Sequence, residues 1–180
     1  MTLPTDAELN AIGVLKRRLI EARVIAPLVK AFAEEFGSEQ VHDIARRVIG
    51  EIARAQGSDL ARATEGNSLP QFAATLDRWT ADDALHIETR ESSSEAFAFD
   101  VTRCRYAEMY REMGIPELGA ILSCNRDGAL IEGFNPNVEL TRTQTLMGGA
   151  SHCDFRYKLR RTEANEPSML ENSVVRLTST

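Results

Sequence analysis

The spacing of apolar residues changes near residue 84, and this change constrains the fold more than any other feature of the sequence. Before it, apolar residues recur every three or four positions, most clearly from Val41 to Ala53, as in an amphipathic helix. After it, Leu85, Ile87 and Thr89 alternate with polar residues, as in a half-buried strand. Helices followed by strands predict an α+β fold.

The first 80 residues are predicted to form helices that are broken at prolines and glycines. Thr5 and Glu8 have capping-box spacing, which indicates the start of the first helix. We expect Pro27 to kink or end that helix and Gly37 to stop it. Ser38 is then placed to cap the second helix, the one that carries the apolar stripe.

Two more helix boundaries are predicted before the strands begin. Gly57 and Ser58 are expected to interrupt the second helix and to open a weaker segment. Ser68, followed by Pro70 in the first turn, predicts another helix that ends near Trp79.

The second half of the chain predicts two β-hairpins with helices inserted between them. The first hairpin joins residues 85–89 to residues 97–101, and the second joins residues 138–145 to residues 152–159 around a glycine turn. The residues between the hairpins read as a helix from Cys104 to Met113 and another that begins at Pro116.

The chain therefore predicts N-terminal helices packed on an antiparallel sheet that is built from two hairpins with inserted helices. No linker divides residues 1–180, so we expect one domain with a helical part (1–80), a hairpin–helix–hairpin part (81–161) and a tail (162–180). We assign no structure to the end of the tail.

Composition excludes several classes of function. The 180 residues carry a net charge of -6, which argues against a nucleic-acid binder that would need a basic surface. No apolar run reaches the roughly 18 residues that a membrane span needs. The N-terminus has no pattern of a secretory signal, so we expect a cytoplasmic protein that does not interact with a membrane.

The three cysteines, Cys104, Cys124 and Cys153, all lie in the second half of the chain. Their odd number does not indicate a disulfide scaffold, and a free cysteine by itself is most often a small buried apolar residue. Cys124 and Asp127 would share one helix face, where Asp127 suits a proton acceptor better than an activator of the thiolate. Cys153 shares a strand face with Phe155 and should point inward.

Two interpretations of the cysteines stay open at this point. The three thiolates with His152 or Asp127 would meet the tetrahedral preference of zinc. Against this, the spacing contains no Cys-x2-Cys pair, and His152 alternates onto the strand face opposite Cys153. We therefore predict no cofactor and keep zinc as the alternative.

A run of motifs between residues 100 and 160 resembles the L-2-amino-thiazoline-4-carboxylate hydrolase family. The motifs, in order, are Cys104, Gly114-Ile115-Pro116-Glu117-Leu118, Cys124 with Asp127, Phe134-Asn135-Pro136, Arg142-Thr143-Gln144-Thr145-Leu146, and Gly148 to Cys153-Asp154-Phe155. The closing motif is also similar to that of vinyl-reductase-type small-molecule-binding domains.

The first resemblance implies the hydrolysis of a small substrate, in which an aminothiazoline carboxylate opens to N-carbamoyl-cysteine. It implies three catalytic residues, Cys124, Asp127 and Cys153, of which Cys124 would attack the ring carbon and Asp127 would position water or move protons. It implies three substrate-binding residues, Arg142, Asn135 and Cys104, with Arg142 on the carboxylate.

Two other classes of function remain as alternatives. The second resemblance implies a sensor module that binds a small molecule or a metal without catalysis. The stripe from Val41 to Ala53 could instead pair two copies of the chain as a homodimer, although such a stripe is more often core.

Overall fold

The computed structural model describes residue 4 and residues 6–160. The predicted cap at Thr5 and the tail 162–180 lie outside these residues. The N-terminal half contains five α-helices and two short 3-10 turns: α1 (Asp6–Leu9), a turn (Asn10–Ile12), α2 (Val14–Phe36), α3 (Ser38–Ala63), α4 (Leu69–Ala73), α5 (Asp77–Thr80) and a turn (Ala81–Asp83).

The second half places helices between two pairs of strands, which confirms the predicted α+β class. Its elements are β1 (Leu85–Ser92), β2 (Ala96–Cys104), α6 (Arg105–Glu112), α7 (Pro116–Gly119), a π-helical turn (Ala120–Cys124), α8 (Arg126–Phe134), β3 (Val138–Thr141) and β4 (Cys153–Leu159). The four strands form one antiparallel sheet in the order β1-β2-β4-β3.

Two larger apolar cores join the layers. One lies among α2, α3, α6, α7 and the π-helical turn, with Tyr110 and Leu118 almost fully buried. The other joins the sheet to α4 and α8, where Phe72 contacts Phe134 and Tyr157 with ring centroids 5.3 and 5.1 Å apart. In the described part of the chain, no helix is long and apolar enough to cross a membrane.

Pro27 does not end the first long helix, because α2 continues through it to Phe36. The buried residues Ala26 and Val29 flank the proline on the inner face of α2, so packing outweighs the missing backbone hydrogen bond. Gly37 does end α2, with a φ of 92°, and Gly37 rather than Ser38 is the N-cap of α3.

The expected interruption at Gly57 is also wrong, since α3 is helical through Gly57 to Ala63. A Cβ atom at Gly57 would collide with the Leu130 carbonyl oxygen and lie 2.8 Å from the Phe134 nitrogen of α8. At Gly133 on α8, a Cβ would collide in turn with the Arg54 carbonyl of α3. The two glycines let the helix backbones touch, and this contact positions α8.

The stripe from Val41 to Ala53 divides between core and surface. Val41, Ile49 and Ala53 are buried, as a core stripe should be, whereas three others remain exposed, Ile44, Val48 and Ile52. The prediction of an amphipathic helix is confirmed, and the stripe is wider than the core that it covers.

Two predicted elements are shorter in the structure. Ser68 and Gln71 form the capping box of α4, but this helix ends at Ala73 and Trp79 lies in the separate helix α5. β3 ends at Thr141 rather than at residue 145, because the backbone nitrogens of Thr143 and Gln144 donate to the Asp154 carboxylate instead of to a strand. The glycine turn therefore lies within a long connection, residues 142–152.

Candidate functional site

A cavity of about 120 Å³ lies between the inner face of the sheet and helices α2, α4, α5 and α8. Much of its wall is apolar and aromatic, with Phe72, Trp79, Phe99, Phe155 and Tyr157 among the lining residues. An engineered apolar cavity of about 150 Å³ in another protein takes up benzene, so this volume suits a ligand with a single small ring.

Five of the six residues predicted for the site line this cavity: Cys104, Cys124, Asp127, Arg142 and Cys153. They come from five separate places in the chain, at the end of β2, the end of the π-helical turn, the first turn of α8, the residue after β3 and the start of β4. The fold therefore brings together residues that the sequence only groups loosely.

Local structure fixes two of the three thiols. The Cys104 Sγ caps helix α6 by accepting a hydrogen bond from the Ala107 nitrogen at 3.4 Å. The Cys153 Sγ accepts one from the Leu146 nitrogen at 3.1 Å, and the buried Cys153 side chain points inward as its strand face predicted. The cysteines are all free thiols.

All three thiols are protonated at neutral pH. Burial raises the pKa of Cys104 to about 11 and that of Cys124 to about 12, and it raises the pKa of Cys153 as well. At Cys124 the negative charge of Asp127 adds to the effect of burial, and Arg142 opposes it. A thiolate at this site would therefore need a base that removes its proton during the reaction.

Asp127 and Arg142 form an ion pair at the cavity wall. Arg142 also donates from Nη2 to the Cys124 carbonyl at 3.1 Å, and its guanidinium carbon lies 5.0 Å from the ring centroid of Phe155. Burial raises the pKa of Asp127, while Arg142 opposes the rise. The Asp127 side chain is 35% exposed, and we assign this exposed part to the cavity that Asp127 lines.

Arg126 lines the cavity too. It donates from Nε to the Leu122 carbonyl at 2.9 Å and from Nη1 to Gln56 at 3.3 Å, and its Nη2 lies 3.5 Å from Glu21. Burial lowers its pKa to about 10. Each nitrogen of this guanidinium has a protein partner, so Arg126 stabilises the cavity wall and has no nitrogen left without a partner for a ligand.

Arg18 is the cavity residue that sequence reasoning missed. Its Nη1 donates to Glu21 at 2.5 Å, and among the described residues it has no other hydrogen-bond partner. Its side chain is only 9% exposed and lines the cavity. The N–H groups that do not bind Glu21 are therefore available to a ligand in the cavity. The sequence held a signal, because Arg18 is one helical turn from Val14 and from Ala22, on the apolar face of α2.

Asn135, the sixth predicted residue, lies outside the cavity wall. Its Nδ2 donates to the Asn67 carbonyl at 2.8 Å, and its Oδ1 accepts from the Asn137 nitrogen at 2.9 Å. Both polar atoms of the side chain thus hold backbone segments together. A contact between Asn135 and a substrate stays a prediction that this position does not support.

The zinc alternative requires a set of ligands that the structure does not assemble. Within residues 4 and 6–160, no group of three His, Cys, Asp or Glu side chains is placed to hold a metal ion. His152 instead lies 2.8 Å from the Gln144 amide nitrogen, measured from Nε2.

Comparison with known proteins gives one family and several distant structural likenesses, two of which follow. A family model described as L-2-amino-thiazoline-4-carboxylic acid hydrolase matches residues 17–157. No curated protein matches the chain. The phenol-responsive sensory domain of the transcription activator PoxR, solved with phenol, is similar at 11% identity over 75% of this chain and 72% of that one, with a TM-score of 0.49.

The second structure is a trafficking protein particle complex subunit 3 from Naegleria fowleri that is covalently bound to palmitic acid. It is 8% identical over 81% of this chain and 96% of that chain, with a TM-score of 0.50. At this identity the likeness shows a shared fold and nothing about ligands.

Proposed function

Because this chain belongs to the L-2-amino-thiazoline-4-carboxylic acid hydrolase family, we propose that it hydrolyses a small cyclic amidine carboxylate in the cavity beside Asp127. The proposed substrate is 2-amino-thiazoline-4-carboxylate or a close relative, and the product is N-carbamoyl-cysteine or its counterpart. One observation carries the proposal: a carboxylate, three thiols and an arginine with free N–H groups line one cavity of ring size.

The reaction adds one water molecule across the bond between the amidine carbon and the ring sulfur. An oxygen–carbon bond forms, the carbon–sulfur bond breaks, and the sulfur leaves with its electron pair and takes up one of the two water protons. The other proton moves to the ring nitrogen, whose double bond to carbon becomes a single bond as the carbonyl forms. Asp127 is the group placed to accept the proton from water and to pass it to the departing sulfur. Burial strengthens Asp127 as a base, because it raises the pKa of the carboxyl group.

Arg142 and Arg18 have complementary roles in this proposal. Arg142 keeps Asp127 in place through their ion pair. The hydrogen bond from Arg142 to the Cys124 carbonyl fixes the position of the guanidinium. Arg18 offers its free N–H groups to the substrate carboxylate, since arginine binds carboxylates through two parallel hydrogen bonds. The aromatic wall formed by Phe155 and Tyr157 contacts the ring.

Cys124 provides a second chemical route. Its thiol would give its proton to Asp127 and attack the amidine carbon, after which the ring carbon–sulfur bond breaks and the ring sulfur takes that proton from Asp127. Water would then cleave the new bond between the carbon and Cys124 and return a proton to the thiol. The raised pKa of Cys124 weakens this route relative to an ordinary cysteine, because Asp127 must first remove a proton that the thiol holds strongly. Cys104 and Cys153 would then line the pocket as neutral thiols.

The test is ring opening of 2-amino-thiazoline-4-carboxylate by the purified protein, followed by mass spectrometry of the product and by titration of its new thiol. We expect turnover, and we expect Asp127→Asn to lower it by about 10²–10⁴-fold, as for the loss of a general base. Asp43→Asn, which removes an exposed carboxylate outside the cavity, should leave turnover unchanged.

Cys124→Ala separates the two routes. Direct attack by water predicts that turnover survives in this variant, whereas the covalent route predicts its complete loss. If the wild-type protein opens no thiazoline or related cyclic amidine, or if Asp127→Asn turns over normally, the proposed mechanism is wrong.

A non-catalytic small-molecule-binding module is the second candidate function. The largely apolar wall of the cavity favours it, because such a wall binds a ring without needing any reactive group. Calorimetric binding of the thiazoline, with the compound recovered unchanged after prolonged incubation, would support this candidate over hydrolysis.

A further inference from the structure

The hydroxyl group of Tyr157 is a polar group at the cavity that the protein leaves without a partner. Tyr157 is only 4% exposed, and within residues 4 and 6–160 its hydroxyl forms no hydrogen bond. The same residues contain no fully buried side-chain oxygen or nitrogen that lacks a partner, so the hydroxyl oxygen must reach accessible space. Tyr157 lines the cavity, and we assign its hydroxyl to that space. Buried tyrosine hydroxyls normally have a hydrogen-bond partner, so this one is available to a ligand.

Neighbouring aromatic rings hold the Tyr157 side chain in position. Its ring centroid lies 5.1 Å from that of Phe72, in an edge contact with α4. The centroids of three rings on the sheet lie between 6.1 and 6.2 Å away: Phe97, Phe99 and Phe155. Strand β4 lies between β2 and β3, which fixes the backbone of Tyr157 on both sides. The hydroxyl therefore needs little reorganisation to meet a bound ring.

Tyr157 belongs to the part of the cavity wall that holds the proposed base. The Phe155 ring, whose centroid is 6.2 Å from that of Tyr157, is also 5.0 Å from the guanidinium carbon of Arg142, and Arg142 pairs with Asp127. Burial raises the pKa of Tyr157, the charge of Asp127 adds to the rise, and the charge of Arg142 opposes it. The hydroxyl thus keeps its proton at neutral pH and can donate it in a hydrogen bond beside Asp127.

We propose that the Tyr157 hydroxyl donates a hydrogen bond to the ring nitrogen of a small heterocyclic carboxylate that binds in the cavity. The inference rests on the proposed function for the orientation of the substrate, with its carboxylate at Arg18 and its amidine carbon beside Asp127. When water adds to that carbon, the double bond to the ring nitrogen becomes single, and the nitrogen gains an electron pair. The hydrogen bond from Tyr157 stabilises this electron pair. The proton that the nitrogen finally takes comes from water, and Tyr157 keeps its own.

A pair of stable ligands tests this hydrogen bond without any turnover. Thiazole-4-carboxylate has a ring nitrogen that accepts a hydrogen bond, and thiophene-3-carboxylate has a C–H group at the same place in a ring of the same size. Calorimetry should show that the wild type binds the thiazole roughly 3- to 10-fold more tightly, which is the usual net effect of one hydrogen bond. Tyr157→Phe should bind the two compounds equally.

Two other hydroxyl groups at the cavity provide matched controls. The Tyr106 hydroxyl already donates to the Trp79 carbonyl at 3.4 Å, so Tyr106→Phe should keep the preference for the thiazole. Ser123 is only partly buried, so water can satisfy its hydroxyl, and Ser123→Ala should keep the preference as well. Without ligand, Tyr157→Phe should unfold at the same temperature as the wild type, because it loses no hydrogen bond within the protein.

Turnover gives a second measurement. Tyr157→Phe should lower kcat for thiazoline opening by roughly 10²–10³-fold, as the loss of one preorganised donor does. A wild type that binds neither ring compound, or binds both equally, would overturn the inference, and so would a Tyr157→Phe variant that still prefers the thiazole. If the preference depends on Tyr157 but the protein opens no cyclic amidine, the contact with the ring nitrogen is supported and the proposed hydrolysis is wrong. If thiazoline opens normally in Tyr157→Phe, the hydrolysis is supported and the role of Tyr157 is wrong.

Discussion

The contact between α3 and α8 predicts that Gly57→Ala destabilises the protein, although alanine is the better helix former. The added Cβ would meet the Leu130 carbonyl oxygen and lie 2.8 Å from the Phe134 nitrogen. Nonbonded atoms prefer separations of roughly 3.5–4.0 Å. Because both contacts are backbone atoms of α8, no side chain can rotate away, and the two helices must move apart by about 1 Å.

The size of the effect follows from two opposing contributions. Overpacking of a well-packed contact costs about 1–3 kcal/mol, and a rigid backbone places this site at the upper end of that range. Replacing a mid-helix glycine by alanine offsets about 0.5–1 kcal/mol of the cost. We therefore expect Gly57→Ala to lower the free energy of unfolding by about 2 kcal/mol. In a chain of this length the corresponding fall in melting temperature is roughly 4–8 °C.

Urea unfolding of the wild type and of two glycine variants measures this effect. Gly128→Ala on α8 is the matched control, because a Cβ there meets nothing within 4 Å, and it should raise the stability by about 0.5–1 kcal/mol. The same substitution should thus have opposite signs at two helical glycines. A Gly57→Ala variant as stable as the wild type would show that the helices do not touch at this point.

Two further predictions concern the titratable groups. The raised pKa values of Cys104 and Cys124, about 11 and 12, predict that iodoacetamide alkylates the native protein more slowly than the unfolded chain at pH 8. The alkylation rate of the native protein should keep rising to pH 10, and mass spectrometry of the modified peptides measures this rate. Fast labelling of the native protein at pH 8 would contradict the prediction. Burial pulls the pKa of Asp154 upward, but hydrogen bonds from Thr143 and Gln144 lower it overall, so its stabilising effect is present above the unfolded-state pKa and is lost as the pH falls through the folded-state pKa. Asp154→Asn should therefore cost about 1 kcal/mol at pH 7 in urea unfolding, and this cost should shrink as the pH falls below the ordinary carboxyl range. A cost that stays the same down to about pH 2 would refute the assignment.

The sequence predicted the elements that local patterns determine. The two hairpins, the helix after Cys104 and the inward direction of Cys153 follow from spacing and capping alone. The helix does not end at Pro27 and is not interrupted at Gly57, for a shared reason. At each position the packing of another segment decides the outcome, and single-residue propensities contain no information about that segment.

The candidate site follows the same division. Cys124 and Asp127 were predicted to lie together because they are one helical turn apart, and they do share the cavity wall. The spacing of Arg18 places it on the apolar face of α2, but it does not indicate which segment that face covers, because the three cysteines come from the other half of the chain. Asn135 lies within a family motif, but its side chain organises the turn around it.

The cavity walls extend from Val14 to Tyr157, so they exist only when nearly the whole described chain is folded. Any compound that fills the cavity therefore binds the native state and leaves the unfolded chain alone. At a concentration one hundred times its dissociation constant, such a compound adds about 2.7 kcal/mol to the stability. A shift of roughly 5–10 °C in melting temperature would follow. A thermal-shift screen of small ring carboxylates can thus identify the natural ligand without any assumption about the reaction.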